Sequence, residues 1–75
     1  MRKLKVNSAD CSSNRLVIIA RRCGFIVKGG AKHYKVKTKN GEFVTIIPRH
    51  NRLKRETVRG VVKTLNQFDC DIDLN

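Results

Sequence analysis

Asn40-Gly41 constrains this chain more than any other pair of residues. A two-residue type I′ turn needs positive φ at both central positions, and Asn-Gly is the dipeptide that accepts it, so the alternating runs on either side are drawn into a β-hairpin. The hairpin is expected to occupy Lys28 to Arg49. Pairing outward from the turn sets Lys39 opposite Glu42, Thr38 opposite Phe43, Val36 opposite Thr45 and Tyr34 opposite Ile47, which makes one face mostly apolar. Successive side chains on a strand point to opposite sides, so the other face of the first strand carries His33, Lys35 and Lys37 in a row. An imidazole there is expected to be wet and surrounded by cations, a poor position for packing and a good one for handling phosphate.

Helical patterns flank the hairpin. Ser12, Ser13 and Asn14 offer N-cap oxygens, and Leu16, Ile19, Ala20 and Cys23 recur at intervals of three and four, with Gly24 available for the left-handed conformation that ends a helix. Phe25 to Lys28 reads as a first strand. Gly29-Gly30 then opens backbone conformations closed to other residues, suiting either a tight strand-to-strand turn or a phosphate cradle. Pro48 closes the last strand because proline cannot donate to a ladder. Val58, Val61, Val62, Leu65 and Phe68 form the clearest amphipathic stripe, with Gly60 inside it as a sign of close packing on the sheet. The expected fold is α+β, a small α-β-β-β-α domain with a three-stranded antiparallel sheet and both helices on one face.

With 75 residues the chain is a single domain, its core at about residues 12–68, with a flexible basic arm over 1–11 and an acidic tail over 69–75. Arg2, Lys3 and Lys5 in the arm either touch a phosphate backbone or keep the segment in water. The tail, with Asp69, Asp71 and Asp73 at alternate positions, is read as a solvated terminus, or as an acidic flap that folds over the basic sheet. A net charge of +11 favours a polyanionic partner, of which nucleic acid is the commonest. Cys11, Cys23 and Cys70 are odd in number and widely spaced, which signals neither a disulfide framework nor a metal knuckle, so reduced thiols in the cytoplasm are expected, with no metal and no cofactor. No apolar run reaches the length of a transmembrane helix and no signal-peptide core is present, so no membrane association is expected.

In combination, these residues resemble a known family. Gly24-Phe25, a short strand, a glycine turn, a histidine opening the next strand, Val44-Thr45-Ile46 running into Pro48-Arg49-His50, then Leu53-Lys54, Thr57-Val58-Arg59 and Val61-Val62 resemble the HicA family of bacterial toxins over about residues 12–68. The resemblance implies a fold like that of a double-stranded-RNA-binding domain. It further implies a ribosome-independent endoribonuclease that cuts messenger RNA, monomeric when free, and neutralised in a hetero-oligomer with a HicB-type antitoxin that covers the active surface. The family's essential histidine follows the glycine turn in a Gly-Ser-His setting, a role only His33 can take here. Ala31-Lys32 stands where the family usually has Ser or a second His, and Arg55-Glu56 replaces a common Pro-Gly.

RNA is cut without metal when a base removes the 2′-OH proton, that oxygen attacks the adjacent phosphate, and an acid protonates the departing 5′-oxygen. Imidazole suits both proton transfers because it titrates near working pH. His33 is therefore the catalytic candidate. Lys28, Lys32, Lys35, Lys37, Arg49 and His50 are the RNA-binding candidates, the lysines and Arg49 supplying positive charge for the phosphorane. Pro48 is expected opposite His33, which brings Arg49 and His50 near it, with His50 either a second proton-transfer group or a phosphate contact. A non-catalytic RNA-binding module, contacting phosphates and 2′-OH groups without cutting, is the alternative.

Overall fold

The computed structural model describes residues 4–74. The chain runs β1 (Leu4–Val6), α1 (Ser13–Arg22), β2 (Ile26–Gly29), β3 (His33–Lys37), β4 (Phe43–Pro48), α2 (Arg55–Gln67) and β5 (Ile72–Leu74). The expected α-β-β-β-α order is present from α1 to α2, and β2, β3 and β4 form one antiparallel sheet in that order.

Local chemistry sets the helix ends. The Ser12 Oγ accepts the Arg15 N–H at 3.2 Å, capping α1. At its other end Gly24 sits at φ +90°, its N–H donating to the Arg21 carbonyl while the Phe25 N–H donates to that of Ala20 at 3.1 Å, a Schellman closure. α2 ends in the same way, with Asp69 at φ 70° and the Cys70 N–H on the Leu65 carbonyl. Leu16 and Ile19 of α1 and Val58, Val62 and Leu65 of α2 are buried against Val36 and Ile47 of the sheet. Each such side chain contributes roughly 1.5–3 kcal/mol on leaving water. Gly60 does not mark close packing. A Cβ placed there meets nothing within 4 Å, because that side of α2 faces solvent.

The β3–β4 register agrees with the sequence reading from His33↔Pro48 to Val36↔Thr45 and then departs from it, since Lys37 pairs with Phe43. The turn is not a two-residue type I′ turn. The Gly41 N–H donates to the Thr38 carbonyl at 2.9 Å and the Thr38 N–H to that of Glu42 at 2.8 Å, so the loop holds three residues, Lys39 to Gly41. Only Gly41, at φ +91°, takes the left-handed region, which spares Asn40 a conformation that costs a residue with a Cβ about 1–2 kcal/mol. The odd residue is absorbed as a β-bulge at Val44, unpaired between Phe43 and Thr45. The bulge turns Phe43 away from the helices and onto the open face, where it is 56% exposed.

The Gly29-Gly30 pair serves close approach and has no positive φ. The Gly30 N–H donates to the His33 carbonyl at 2.8 Å, and a Cβ on Gly30 would lie 3.1 Å from that oxygen.

Both chain ends differ from expectation. The described part of the arm is not a flexible segment: β1 pairs in parallel with β5, Leu4↔Ile72, Lys5↔Asp73 and Val6↔Leu74, and Val6, Ser8 and Cys11 are buried. Arg2 and Lys3 lie outside the described residues. The tail is neither a solvated end nor a flap over the basic sheet, for β5 packs against β1 and α2 and Ile72 is buried. Asn66 holds it there, its side-chain amide accepting the Ile72 N–H at 2.9 Å and donating to the Ile72 carbonyl at 3.2 Å. LKV and IDL each alternate apolar with charged, so pairing turns Leu4, Val6, Ile72 and Leu74 to one side, where Val6 and Ile72 are buried and the two leucines half-buried, and sets Lys5 beside Asp73 on the other.

The thiols also depart from the reduced state expected. Cys23, the C-cap of α1, is disulfide-bonded to Cys70 just after α2, with Cα atoms 5.5 Å apart. Cys11 is the remaining free cysteine, and burial pushes its thiol pKa up. No helix among the described residues is long and apolar enough to cross a membrane.

Candidate functional site

Strand pairing arranges the side of the sheet away from the helices into three rows. Ile26, Lys37 and Phe43 form the first, Lys28, Lys35 and Ile46 the second, and His33 with Pro48 the third. None of the three strands contains an acidic residue, so the lysine charges add without internal compensation and the face carries a positive potential. A shallow groove of about 420 Å³ crosses it, lined by Lys28, Gly30, His33, Lys35, Lys37 and Ile46.

His33 is exposed, and no hydrogen bond from the described residues occupies its ring, which leaves both nitrogens available for proton transfer to a ligand. Its backbone, by contrast, is fixed. Arg49 clasps the loop that leads into β3, its backbone N–H donating to the Lys32 carbonyl at 3.1 Å and its guanidinium to the Gly30 carbonyl at 2.7 Å. The same guanidinium lies over the Tyr34 ring, 4.9 Å from its centroid, and the Tyr34 hydroxyl reaches the Asn14 side chain at 3.5 Å. Arg49 therefore positions the loop before His33, and its planar face is already engaged.

The structure gathers His33, Lys28, Lys35 and Lys37 along one groove, while Lys32 is exposed in the loop just before β3 and does not line it. Arg49 and His50 do not join this groove. Pro48 is opposite His33, but the chain then turns to the Tyr34 side, where Arg49 and His50 share a polar recess of about 180 Å³ with Ser13, Asn14 and Asn51. Alternation is the physical reason, since Tyr34 and His33 point to opposite sides of β3. A larger recess of about 550 Å³, by Lys5, Asp10, Ser12 and Arg15, mixes both charge signs and contains no imidazole or thiol, so it lacks the chemistry of the sheet groove.

Sequence reading missed Phe43, Ile46 and Ile26 as members of the open face. Only the true loop length, and hence the Val44 bulge, reveals where Phe43 points. The geometry defines a class, a small α+β domain with a cationic sheet face that the other described residues leave uncovered, carrying an unengaged imidazole. No protein-family model, curated protein or solved structure matches the chain.

Proposed function

We propose that this protein is a toxin-type endoribonuclease of the HicA kind that cuts messenger RNA on the open sheet face, with His33 as the proton-transfer group. The observation that carries this reading is an exposed, unengaged imidazole in a groove whose other charged groups are all lysines. Lys28 and Lys35, paired across β2 and β3 in the row next to His33, bind backbone phosphate on that side of the imidazole. His33 takes the 2′-OH proton, the 2′-oxygen bonds to phosphorus, and the P–O5′ bond breaks as the departing oxygen takes a proton from solvent water, giving a 2′,3′-cyclic phosphate and a 5′-hydroxyl; the imidazolium then returns its proton to the hydroxide left behind. A lysine ammonium beside the equatorial oxygens stabilises the phosphorane. The chemistry needs no metal or cofactor.

The free protein acts as a monomer, and a HicB-type antitoxin neutralises it by covering the same face. Messenger RNA as substrate sets the activity in the cytoplasm, where reducing conditions oppose the Cys23–Cys70 bond.

A non-catalytic RNA-binding module is the second reading. One observation favours it: His50 and Arg49 line a separate recess, so among the described residues no second imidazole lines the His33 groove. His33→Ala separates the two. The nuclease loses about 10²- to 10⁴-fold in cleavage rate while RNA affinity changes little, the usual contribution of a general acid or base. Wild-type protein that binds RNA and leaves it intact supports the module instead.

A further inference from the structure

Of the four large apolar side chains exposed among the described residues, three lie on the open sheet face: Phe43 at 56%, Ile26 at 43% and Ile46 at 42%. Register sets them next to lysines, with Lys37 between Ile26 and Phe43 and Lys35 beside Ile46. A face built only to attract phosphate has no use for a half-exposed phenyl ring, and a solvated face would not concentrate apolar surface there.

We propose that Phe43, with Ile46 beside it, is a stacking platform for an unpaired base, which makes single-stranded RNA the ligand of this face and excludes duplex. The inference rests on the nucleic-acid reading above and deepens it. The occupant follows from charge and shape together. Lysines and no acid on the three strands require a polyanion, and exposed flat apolar surface between those lysines requires a polyanion that also offers π-faces. A duplex keeps its bases within its own stack and presents phosphate and ribose outward, leaving Phe43 uncovered.

The geometry also fixes where that base lies relative to His33. Phe43 pairs with Lys37, and the four steps from Lys37 back to His33 along β3 span about 13 Å. That distance is about four nucleotides stacked at 3.4 Å, and fewer in an extended strand. The platform thus grips the RNA a few nucleotides from the phosphate at His33.

The test measures equilibrium binding of the full chain to a labelled single-stranded RNA decamer and to a blunt duplex of the same composition, both 2′-O-methylated so that neither is cut, across a salt series. Phe43→Ala is expected to fold normally, since the ring is more exposed than buried, and to weaken single-strand binding by about 5- to 150-fold with the salt slope unchanged. Phe43→Trp is expected to restore it. Lys35→Ala is expected instead to reduce the slope of log affinity against log salt by about 0.7. Duplex binding should be weaker than single-strand binding in the wild type and insensitive to Phe43. Equal single-strand affinities for wild type and Phe43→Ala overturn the platform while leaving an RNA-binding, His33-dependent nuclease intact. Loss from Phe43→Ala that is equal for duplex and single strand also overturns it. No measurable wild-type affinity for either RNA overturns both readings and points to an acidic protein as the partner.

Discussion

Reducing the Cys23–Cys70 bond should remove a large fraction of this domain's stability. Cross-linking positions 47 apart takes loop-closure entropy from the unfolded chain, about 14 cal/mol/K or about 4 kcal/mol at 25 °C. A chain of 75 residues has in total roughly 4–11 kcal/mol of stability, so the bond accounts for at least about a third of it. The loss falls on the global unfolding equilibrium, because the constraint acts on the unfolded chain. Urea unfolding followed by far-UV circular dichroism, with and without a phosphine reductant, measures the effect. With a slope near 1 kcal/mol/M for so small a domain, the midpoint should fall by about 4 M, or the reduced protein should start partly unfolded. Cys23→Ala should match the reduced wild type, and reductant should not shift it further. Superimposed oxidised and reduced curves would refute the loop-entropy reasoning.

Two other perturbations probe the scaffold. Gly60→Ala fills open space on a helix and should raise stability by about 1 kcal/mol, whereas Gly41→Ala, also with nothing in its way, should lower it by about 1–2 kcal/mol because φ is +91° there; thermal melts decide both, and equal shifts would rule out a conformational cause. The raised thiol pKa of buried Cys11 stabilises the fold below the ordinary value of 9.0 and ceases to do so as pH climbs through the folded value, because the unfolded thiol ionises first. Cys11→Ala should therefore be less stable at neutral pH yet show a flatter alkaline limb in pH-dependent melts, and an unchanged limb would assign the alkaline loss to other groups.

What was legible in the sequence is what is local. The Ser12 cap, the Gly24 stop and the Val58-Val61-Val62-Leu65 stripe act within one or two turns of helix, and each is found as read. The register from His33 to Val36 was legible because it follows from counting outward from one turn. It failed beyond Val36 because a three-residue loop was as compatible with Asn40-Gly41 as a two-residue one, and that single residue decides which face Phe43 occupies. The β1–β5 pairing and the Cys23–Cys70 bond join positions nearly a chain length or most of a domain apart, where periodicity carries no signal. Arg49 shows the same limit within the site. Adjacency to Pro48 placed it near His33, but the Tyr34 ring and the Gly30 carbonyl hold it on the other side.

The most direct measurement is the chemistry of the ends left on a single-stranded RNA after incubation with the purified chain in EDTA. His33-dependent transesterification yields a 2′,3′-cyclic phosphate and a 5′-hydroxyl, formed about 10²- to 10⁴-fold more slowly by His33→Ala. Uncut RNA, 5′-phosphate ends, or equal cutting by the variant would contradict a catalytic role for the imidazole on this face.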